Sequence, residues 1–221
     1  MAFKSAMNGS TSTFSWINMR EEISIVTYDA RKSAGSAMGA MTGVEGSKYR
    51  VSIDERSAIV DTRQRLGDWE VDTIIGKGHR HAIVSLTERK SRLALLRKVE
   101  RKTAQDVADA VIELMKSLPV RTHTITADNG QEFADHERIS KDPNTDVYFA
   151  HPYSSWERGT NENMNGLVRQ YFPKKCNFTT ITETEIEFVM ERLNNRPRKC
   201  LRFKSPNQVF FNHSSVVALG S

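Results

Sequence analysis

The sequence predicts an α/β protein in which one mixed sheet of five strands is covered by helices. Three observations predict this class: short β-rich segments between turn-forming residues, segments with apolar residues at helical spacing, and the alternation of both along the chain. The chain has 221 residues, enough for one sizeable domain with extensions. Hydrophobic residues make up 38% and charged residues 27%, a composition typical of a folded globular protein.

Five segments are expected to form the strands. WEVDTII, HAIVSL and RLALLRKV are separated by the turn-prone GKGHR and TERKS, which predicts a three-stranded antiparallel meander. Two further strands are expected in THTITA, directly before Asp128, and in VYFA, directly before His151. The polar residues between these two strands allow a short helix.

Three longer helical segments complete the pattern. Thr103 and Asp106 resemble a capping box ahead of apolar residues at helical spacing. A second helix is expected over residues 160–171, and a third begins near Thr182, which forms another possible capping box with Glu185. This order of three strands, helix, strand, short helix, strand and helices favours a ribonuclease H-like fold.

Composition also predicts the domain organisation and the cellular compartment of the protein. Residues 1–48 are rich in Ser, Gly, Ala and Met and predict a weakly ordered extension, followed by a core over 49–211 and a tail over 212–221. No apolar segment approaches the roughly 18 to 20 residues of a membrane span. Polar residues interrupt the first twenty positions, so a secretory signal is not expected and the cytoplasm is the predicted compartment.

Net charge and cysteine content indicate which partners and metal sites are expected. The net charge of +5 is consistent with a polyanionic partner. Cys176 and Cys200 match no zinc or redox spacing, and His79 with His81 has no cysteine partners. We therefore expect reduced structural thiols and no structural zinc site.

Three acidic residues are the candidates for catalysis. Asp72 lies mid-strand on the same face as Glu70 and Ile74, Asp128 follows an apolar strand, and Glu162 lies on a helix. Each has an ordinary alternative: an acid at the sheet surface, a common Asp-Asn-Gly turn, and a solvated helix face with a weak ion pair. Together, adjacent strands and a covering helix can bring the three carboxylates to one site, where hard oxygen ligands suit Mg²⁺ or Mn²⁺.

Longer motifs surround these acids. They read GDWEVDTIIGKGH around Asp72, TADNGQEF around Asp128, and FAHPYSSWERGTNENMNGLVRQYFPK around Glu162, followed by RLNNRPRK. Over about residues 49–211 the chain resembles the DDE transposase and retroviral integrase superfamily, most closely the bacterial insertion-sequence-thirty family. The 33 residues between Asp128 and Glu162 are similar to the spacing in that superfamily, and the basic residue expected seven positions after the glutamate is Arg169.

The resemblance implies an integrase-like catalytic core that nicks an element end and joins the freed 3′-hydroxyl to target DNA. It implies that Asp72, Asp128 and Glu162 hold two Mg²⁺ or Mn²⁺ ions for phosphoryl transfer. It also implies DNA as the partner and a homo-oligomer as the working form. A tyrosine recombinase using Tyr153 or Tyr171 is disfavoured, because no Arg/His constellation accompanies either residue.

Basic residues near the predicted catalytic helix and after the third helix are the candidates for phosphate contacts, with a solvated basic face as the alternative. They are Arg158, Arg169, Lys174, Lys175, Arg196, Arg198 and Lys199. Trp156 and His151 could stack on a base, although packing under the catalytic helix is the favoured role. Candidates for polar DNA contacts, with helix capping as the alternative role, are Asn161, Asn163 and Asn165.

Two alternative functions stay open. Full-length members of the resembled family carry a helix-turn-helix region ahead of the core, and no such pattern precedes Tyr49. A truncated, non-autonomous transposase that binds DNA or inhibits a full-length partner is therefore one alternative. A ribonuclease H-like nuclease that cleaves RNA–DNA hybrids without joining is the other.

Overall fold

The computed structural model describes residues 49–78, 80–142 and 144–217, with side chains described up to residue 212. The predicted extension over 1–48 lies outside the described residues. The described chain forms six strands: β1 (Val51–Ser52), β2 (Asp68–Ile75), β3 (Ala82–Glu88), β4 (Ala94–Val99), β5 (Thr124–Ala127) and β6 (Asp146–Phe149). Their order across one sheet is β1-β6-β5-β2-β3-β4.

Strand directions confirm the predicted mixed sheet. β2, β3 and β4 form the antiparallel meander, whereas β5 pairs parallel with both β2 and β6. The sheet has one strand more than the five predicted, because Val51 and Ser52 pair parallel with β6 at the sheet edge. A two-residue strand has too short a pattern to be recognised by its alternation.

Six helices accompany the sheet in the described residues: α1 (Ile59–Thr62), α2 (Ala104–Lys116), α3 (His136–Lys141), α4 (Gly159–Val168), α5 (Glu183–Asn195) and α6 (Pro206–Val217). The predicted N-terminus of α2 is confirmed, since the Thr103 hydroxyl accepts from the Asp106 backbone N–H at 3.1 Å. Thr182 and Glu185 form both hydrogen bonds of a capping box at α5. Each such cap stabilises a helix by about 1 kcal/mol.

The two faces of the sheet are covered by different helices, which follows from the alternation along β2. Trp69 and Val71 point into a core shared with α2, while Ile74 packs with apolar residues of α4 and α5. The face that carries Asp72 is therefore the face that α4 covers.

Helix α5 is joined to the edge strand β4 by a buried amide. The Asn194 side chain accepts from the Ala94 backbone N–H at 2.8 Å and donates to the Ala94 carbonyl at 2.7 Å. These two bonds satisfy backbone groups that no further strand pairs.

The C-terminal helix continues past the predicted end of the core. α6 runs across residue 212, and its Phe210 is fully buried with its ring centroid 6.0 Å from that of Trp69. Throughout the described ranges, no helix has the length and apolarity needed to cross a membrane.

Candidate active site

The sheet brings Asp72 and Asp128 side by side. The parallel register of β2 and β5 pairs Glu70 with Thr126. Two residues further along the chain come Asp72, within β2, and Asp128, directly after β5. Because successive strand residues alternate between faces, both carboxylates emerge on the face that α4 covers. Their predicted proximity therefore follows from the sheet register.

Arg158 lies between the two carboxylates. Its Nη1 atom is 3.4 Å from Asp72 Oδ2 and its Nη2 atom is 3.3 Å from Asp128 Oδ2. The side chain of Arg158 is 14% exposed, while those of Asp72 and Asp128 are 25% and 33% exposed. The two acids thus converge on one position occupied by positive charge.

Hydrogen bonds also hold the two carboxylates in place. Asp72 Oδ1 accepts from the Thr73 N–H at 2.7 Å, and Asp72 Oδ2 accepts from Asn165 Nδ2 at 3.0 Å. Asp128 Oδ1 accepts from the Gly130 N–H at 2.8 Å. In each aspartate, Oδ2 is the oxygen that faces the shared position.

The turn that carries Asp128 is itself anchored. Arg50 donates to the carbonyls of Asn129 and Gly130 at 3.0 and 3.2 Å, and Asn129 Nδ2 donates to the Ala150 carbonyl at 2.6 Å. A Cβ at Gly130 would collide with the Glu132 carboxylate and lie 2.8 Å from Asp128 Oδ1. A side chain at position 130 would therefore require both carboxylates to shift.

Burial controls the electrostatics of Asp72. Removal from water raises the pKa of Asp72 above its ordinary value; Arg158 lowers that pKa, and the carboxylates of Asp128 and Glu132 raise it. Like charges on neighbouring acids are costly in a partly desolvated site, so additional positive charge stabilises this arrangement.

Glu132 is a fourth acid at this edge, which sequence reasoning missed although it lies in the TADNGQEF motif. Its Oε1 atom is 2.6 Å from Lys102 Nζ and accepts from Thr73 Oγ1 at 3.0 Å. Burial raises the pKa of Glu132, but its hydrogen bonds and the Lys102 charge outweigh burial and hold the pKa below its ordinary value. Glu132 is thus an ionised, paired acid behind the two aspartates.

Glu162 is exposed in the first turn of α4 and forms no hydrogen bond or ion pair with the described residues. No group of three potential metal ligands lies close enough together in the described parts of the chain to hold an ion. The fold brings Asp72 and Asp128 together, while the role of Glu162 as a metal ligand stays a prediction.

The polar residues of α4 divide between the core and the site. Asn161 is fully buried, with Oδ1 accepting from Ser85 and Thr87 hydroxyls at 3.1 and 2.7 Å. This burial makes Asn161 a structural residue and argues against a direct DNA contact. Asn165 orients Asp72, and a polar DNA contact of the exposed Asn163 stays a prediction.

The predicted phosphate-binding residues differ in their surroundings. Arg169 donates to the carbonyls of Ile75 at 2.8 Å and Phe172 at 3.4 Å, so its guanidinium ties α4 to β2. Arg198 is half-buried and donates to the Leu193 carbonyl at 3.1 Å. The others away from the aspartates are exposed: Lys174, Lys175, Arg196 and Lys199.

The loop before α4 presents an exposed aromatic ring and a paired histidine. Trp156 is 73% exposed, so the favoured packing role under the catalytic helix is wrong, and base stacking stays a prediction. His151 Nδ1 lies 2.9 Å from Glu157 Oε1, and His151 Nε2 lies 2.9 Å from Asp54 Oδ2. This histidine joins the loop to the segment after β1.

The His151 contacts predict that the connection between the loop before α4 and the segment after β1 depends on pH. Hydrogen bonds to Glu157 and then to Asp54 raise the pKa of His151 above 6.5. The stabilisation from protonated His151 is therefore fully present below pH 6.5 and is lost as pH rises through the raised pKa. In proton NMR titrations, Asp54→Asn is expected to lower the His151 pKa toward its ordinary value, with His151→Gln used for assignment. An unchanged titration midpoint would contradict this link.

Comparisons with known proteins identify relatives of this chain. No protein-family model matches the chain. A transposase for insertion sequence element IS4351 of Bacteroides fragilis is 44% identical over 192 residues, which cover 86% of this chain and 57% of that protein. The transposase InsI for insertion sequence element IS30C of Escherichia coli (strain K12) is 42% identical, over 71% of this chain and 41% of that protein.

Solved structures show the same architecture. The catalytic core domain of BIV integrase has a TM-score of 0.53 at 18% identity, covering 69% of this chain and 98% of that one. A chain of the simian T-cell lymphotropic virus intasome, solved in complex with PP2A regulatory subunit B56 gamma, has a TM-score of 0.54 at 18% identity, covering 65% and 53%. The described chain therefore has the ribonuclease H-like fold of an integrase catalytic core.

The resemblance to the insertion-sequence-thirty family of transposases is confirmed, and over its matched residues the chain is a relative of those proteins. It spans 57% and 41% of the lengths of the Bacteroides fragilis and Escherichia coli relatives.

Proposed function

We propose that this chain is the catalytic core of a DNA transposase that nicks and joins DNA strands by phosphoryl transfer. The observation that carries the proposal is the pair of Asp72 and Asp128, which converge on one cationic position at the junction of β2 and β5. The named relatives are transposases, and that kinship supports DNA as the proposed partner and substrate.

The donor set suits divalent metal. Two hard carboxylate oxygens that face one positively charged position are the ligand type that Mg²⁺ and Mn²⁺ prefer. Asp72 and Asp128 would hold the ions, with Glu162 as the proposed third ligand brought in by a movement of α4. Two such ions, when bound, supply an activated attacking oxygen and a stabilised leaving oxygen.

The protein residues supply orientation and charge. Asn165 and the Thr73 N–H hold the Asp72 carboxylate, while the Gly130 N–H holds Asp128, so both Oδ2 atoms face the same point before substrate arrives. Such preorganisation lowers the reorganisation needed in the transition state. We assign phosphate contacts to Lys174, Lys175, Arg196 and Lys199, which expose their charge to solvent.

We further propose that several copies assemble on DNA in the cytoplasm. The simian T-cell lymphotropic virus neighbour is part of an intasome, and its fold is shared by this chain. Joining two element ends to one target requires more than one active site to be held together.

The proposed function is tested with a branched duplex that mimics a joined product. On this substrate a core can perform the reverse of joining without first recognising an element end. With Mn²⁺, we expect the wild type to reseal the target strand and Glu162→Gln to lose this activity. Glu187→Gln, an exposed acid on α5, is the matched control and should retain it. Equal resealing by Glu162→Gln, or none by the wild type despite DNA binding, would contradict the proposal.

A further inference from the structure

The guanidinium of Arg158 occupies the point on which the two aspartates converge. It lies 3.4 Å from Asp72 and 3.3 Å from Asp128, while its Nη1 atom is 3.5 Å from the Val71 carbonyl. Its Nε atom is buried without a hydrogen-bond partner in the described residues. The charge is therefore central, but its hydrogen bonding is incomplete.

These contacts are loose for an arginine between two carboxylates. Charge-assisted N–H to O⁻ bonds usually measure about 2.7 to 2.9 Å and often form a bidentate fork with one carboxylate. Arg158 instead divides its two terminal nitrogens between two acids at longer distances. It is held by electrostatic attraction more than by directional bonds, so a stronger cation can displace it.

The local backbone permits such a displacement. Arg158 ends a short 3-10 turn, Ser155–Arg158, and directly precedes α4. At Gly159 an added Cβ would meet nothing within 4 Å, so the space beside this junction is open. Glu162 follows Arg158 by four residues, about one helical turn, so a shift at this junction moves both side chains.

We propose that Arg158 is an exchangeable internal counterion: it neutralises Asp72 and Asp128 in the metal-free chain, yields that position to metal ions, and then binds a DNA phosphate. This inference rests on the proposed function and adds a sequence of events to it. A guanidinium and divalent cations repel each other at such short range, so they do not share the position. The planar fork of the released guanidinium matches a phosphate.

Metal affinity gives the first test. Mn²⁺ binding is measured by electron paramagnetic resonance for the wild type, Arg158→Gln, Arg158→Ala and the control Arg97→Ala, whose ion pair with Glu113 is exposed. Removal of the competing cation should tighten Mn²⁺ binding by about fivefold or more in both Arg158 variants, within the usual range of coupling between ligands. The control should bind Mn²⁺ like the wild type.

Salt dependence of DNA binding gives the second test. With Mn²⁺ present, Arg158→Gln should reduce the slope of log affinity against log salt for a 30-base-pair duplex by about one unit, the effect of one lost phosphate contact. With chelator, the slopes of wild type and variant should coincide, because Arg158 then pairs with the aspartates.

The outcomes separate this inference from the proposed function. Unchanged or weaker Mn²⁺ binding in Arg158→Gln, or an equal slope difference with and without Mn²⁺, would overturn the exchange. Arg158→Gln is close in size to the native residue and serves if Arg158→Ala does not fold. Mn²⁺ binding by the wild type that is insensitive to Asp72→Asn would instead overturn the metal site and with it the proposed function.

Discussion

Asp128→Asn is expected to lower the rate of Mn²⁺-dependent strand joining by about a thousandfold while the fold persists. The substitution removes a ligand charge, and a loss of roughly 4 kcal/mol of transition-state stabilisation corresponds to such a factor. The asparagine side-chain oxygen can still accept from the Gly130 N–H, so the turn should survive. Single-turnover joining rates on a pre-nicked end duplex measure the effect.

The control for this prediction is the thermal stability of the Asp128→Asn variant. Asp128→Asn removes both the repulsion between Asp128 and Asp72 and the attraction between Asp128 and Arg158. These changes oppose each other, so the metal-free variant should unfold at a temperature close to that of the wild type. A joining rate within tenfold of the wild type would show that Asp128 is not a metal ligand. A variant that has lost its cooperative unfolding transition would show that Asp128 is structural.

The larger elements could be predicted because each has a local cause. Thr103 and Thr182 cap helices where their spacing predicts, and β2 places Trp69 and Ile74 on opposite sides of the sheet as alternation requires. The edge strand β1 was missed because β6, its partner among the described residues, lies almost a hundred residues further along the chain. Pairing over that distance leaves no local pattern.

Part of the site could also be predicted, because strand alternation and helical spacing are local patterns. The register of β2 and β5 places Asp72 beside Asp128. The strand motifs made both candidates, and the combination of three acids with the family motifs favoured them over their ordinary alternatives. Helical spacing placed Glu162, Asn165 and Arg169 on one stripe of α4; two of them contact β2 residues, whereas Glu162 is exposed. A stripe gives the direction of side chains and does not give their distance from the sheet.

Arg158 shows most clearly what a pattern cannot supply. Its charge suggested a phosphate contact, yet in the fold it pairs with one acid on β2 and one directly after β5. Glu70 is a second example. Strand alternation assigned Glu70 to the same face as Asp72, but it did not indicate the buried Arg89 beside it. Partners from distant segments are fixed by tertiary packing and appear only in the structure.

The pair of Glu70 and Arg89 carries the largest predicted effect on stability. Both side chains are buried, with exposed fractions of 0% and 5%, and Glu70 Oε1 lies 3.1 Å from Arg89 Nη1. Neither of these atoms has a hydrogen-bond partner in the described residues, so their attraction is electrostatic. Glu70 Oε2 accepts from the Asn161 N–H at 2.8 Å, which ties the start of α4 to β2.

Arg89→Met is expected to lower the free energy of unfolding by roughly 3 to 5 kcal/mol, because it leaves the Glu70 carboxylate buried without its cation. The double variant Glu70→Gln with Arg89→Met should recover most of the loss, since no uncompensated charge remains. Urea unfolding measures all three proteins. Arg97→Met, which breaks the exposed pair with Glu113, is the matched control and should cost less than about 1 kcal/mol. Equal losses in Arg89→Met and Arg97→Met would mean that burial of the Glu70 pair does not set the stability of this face.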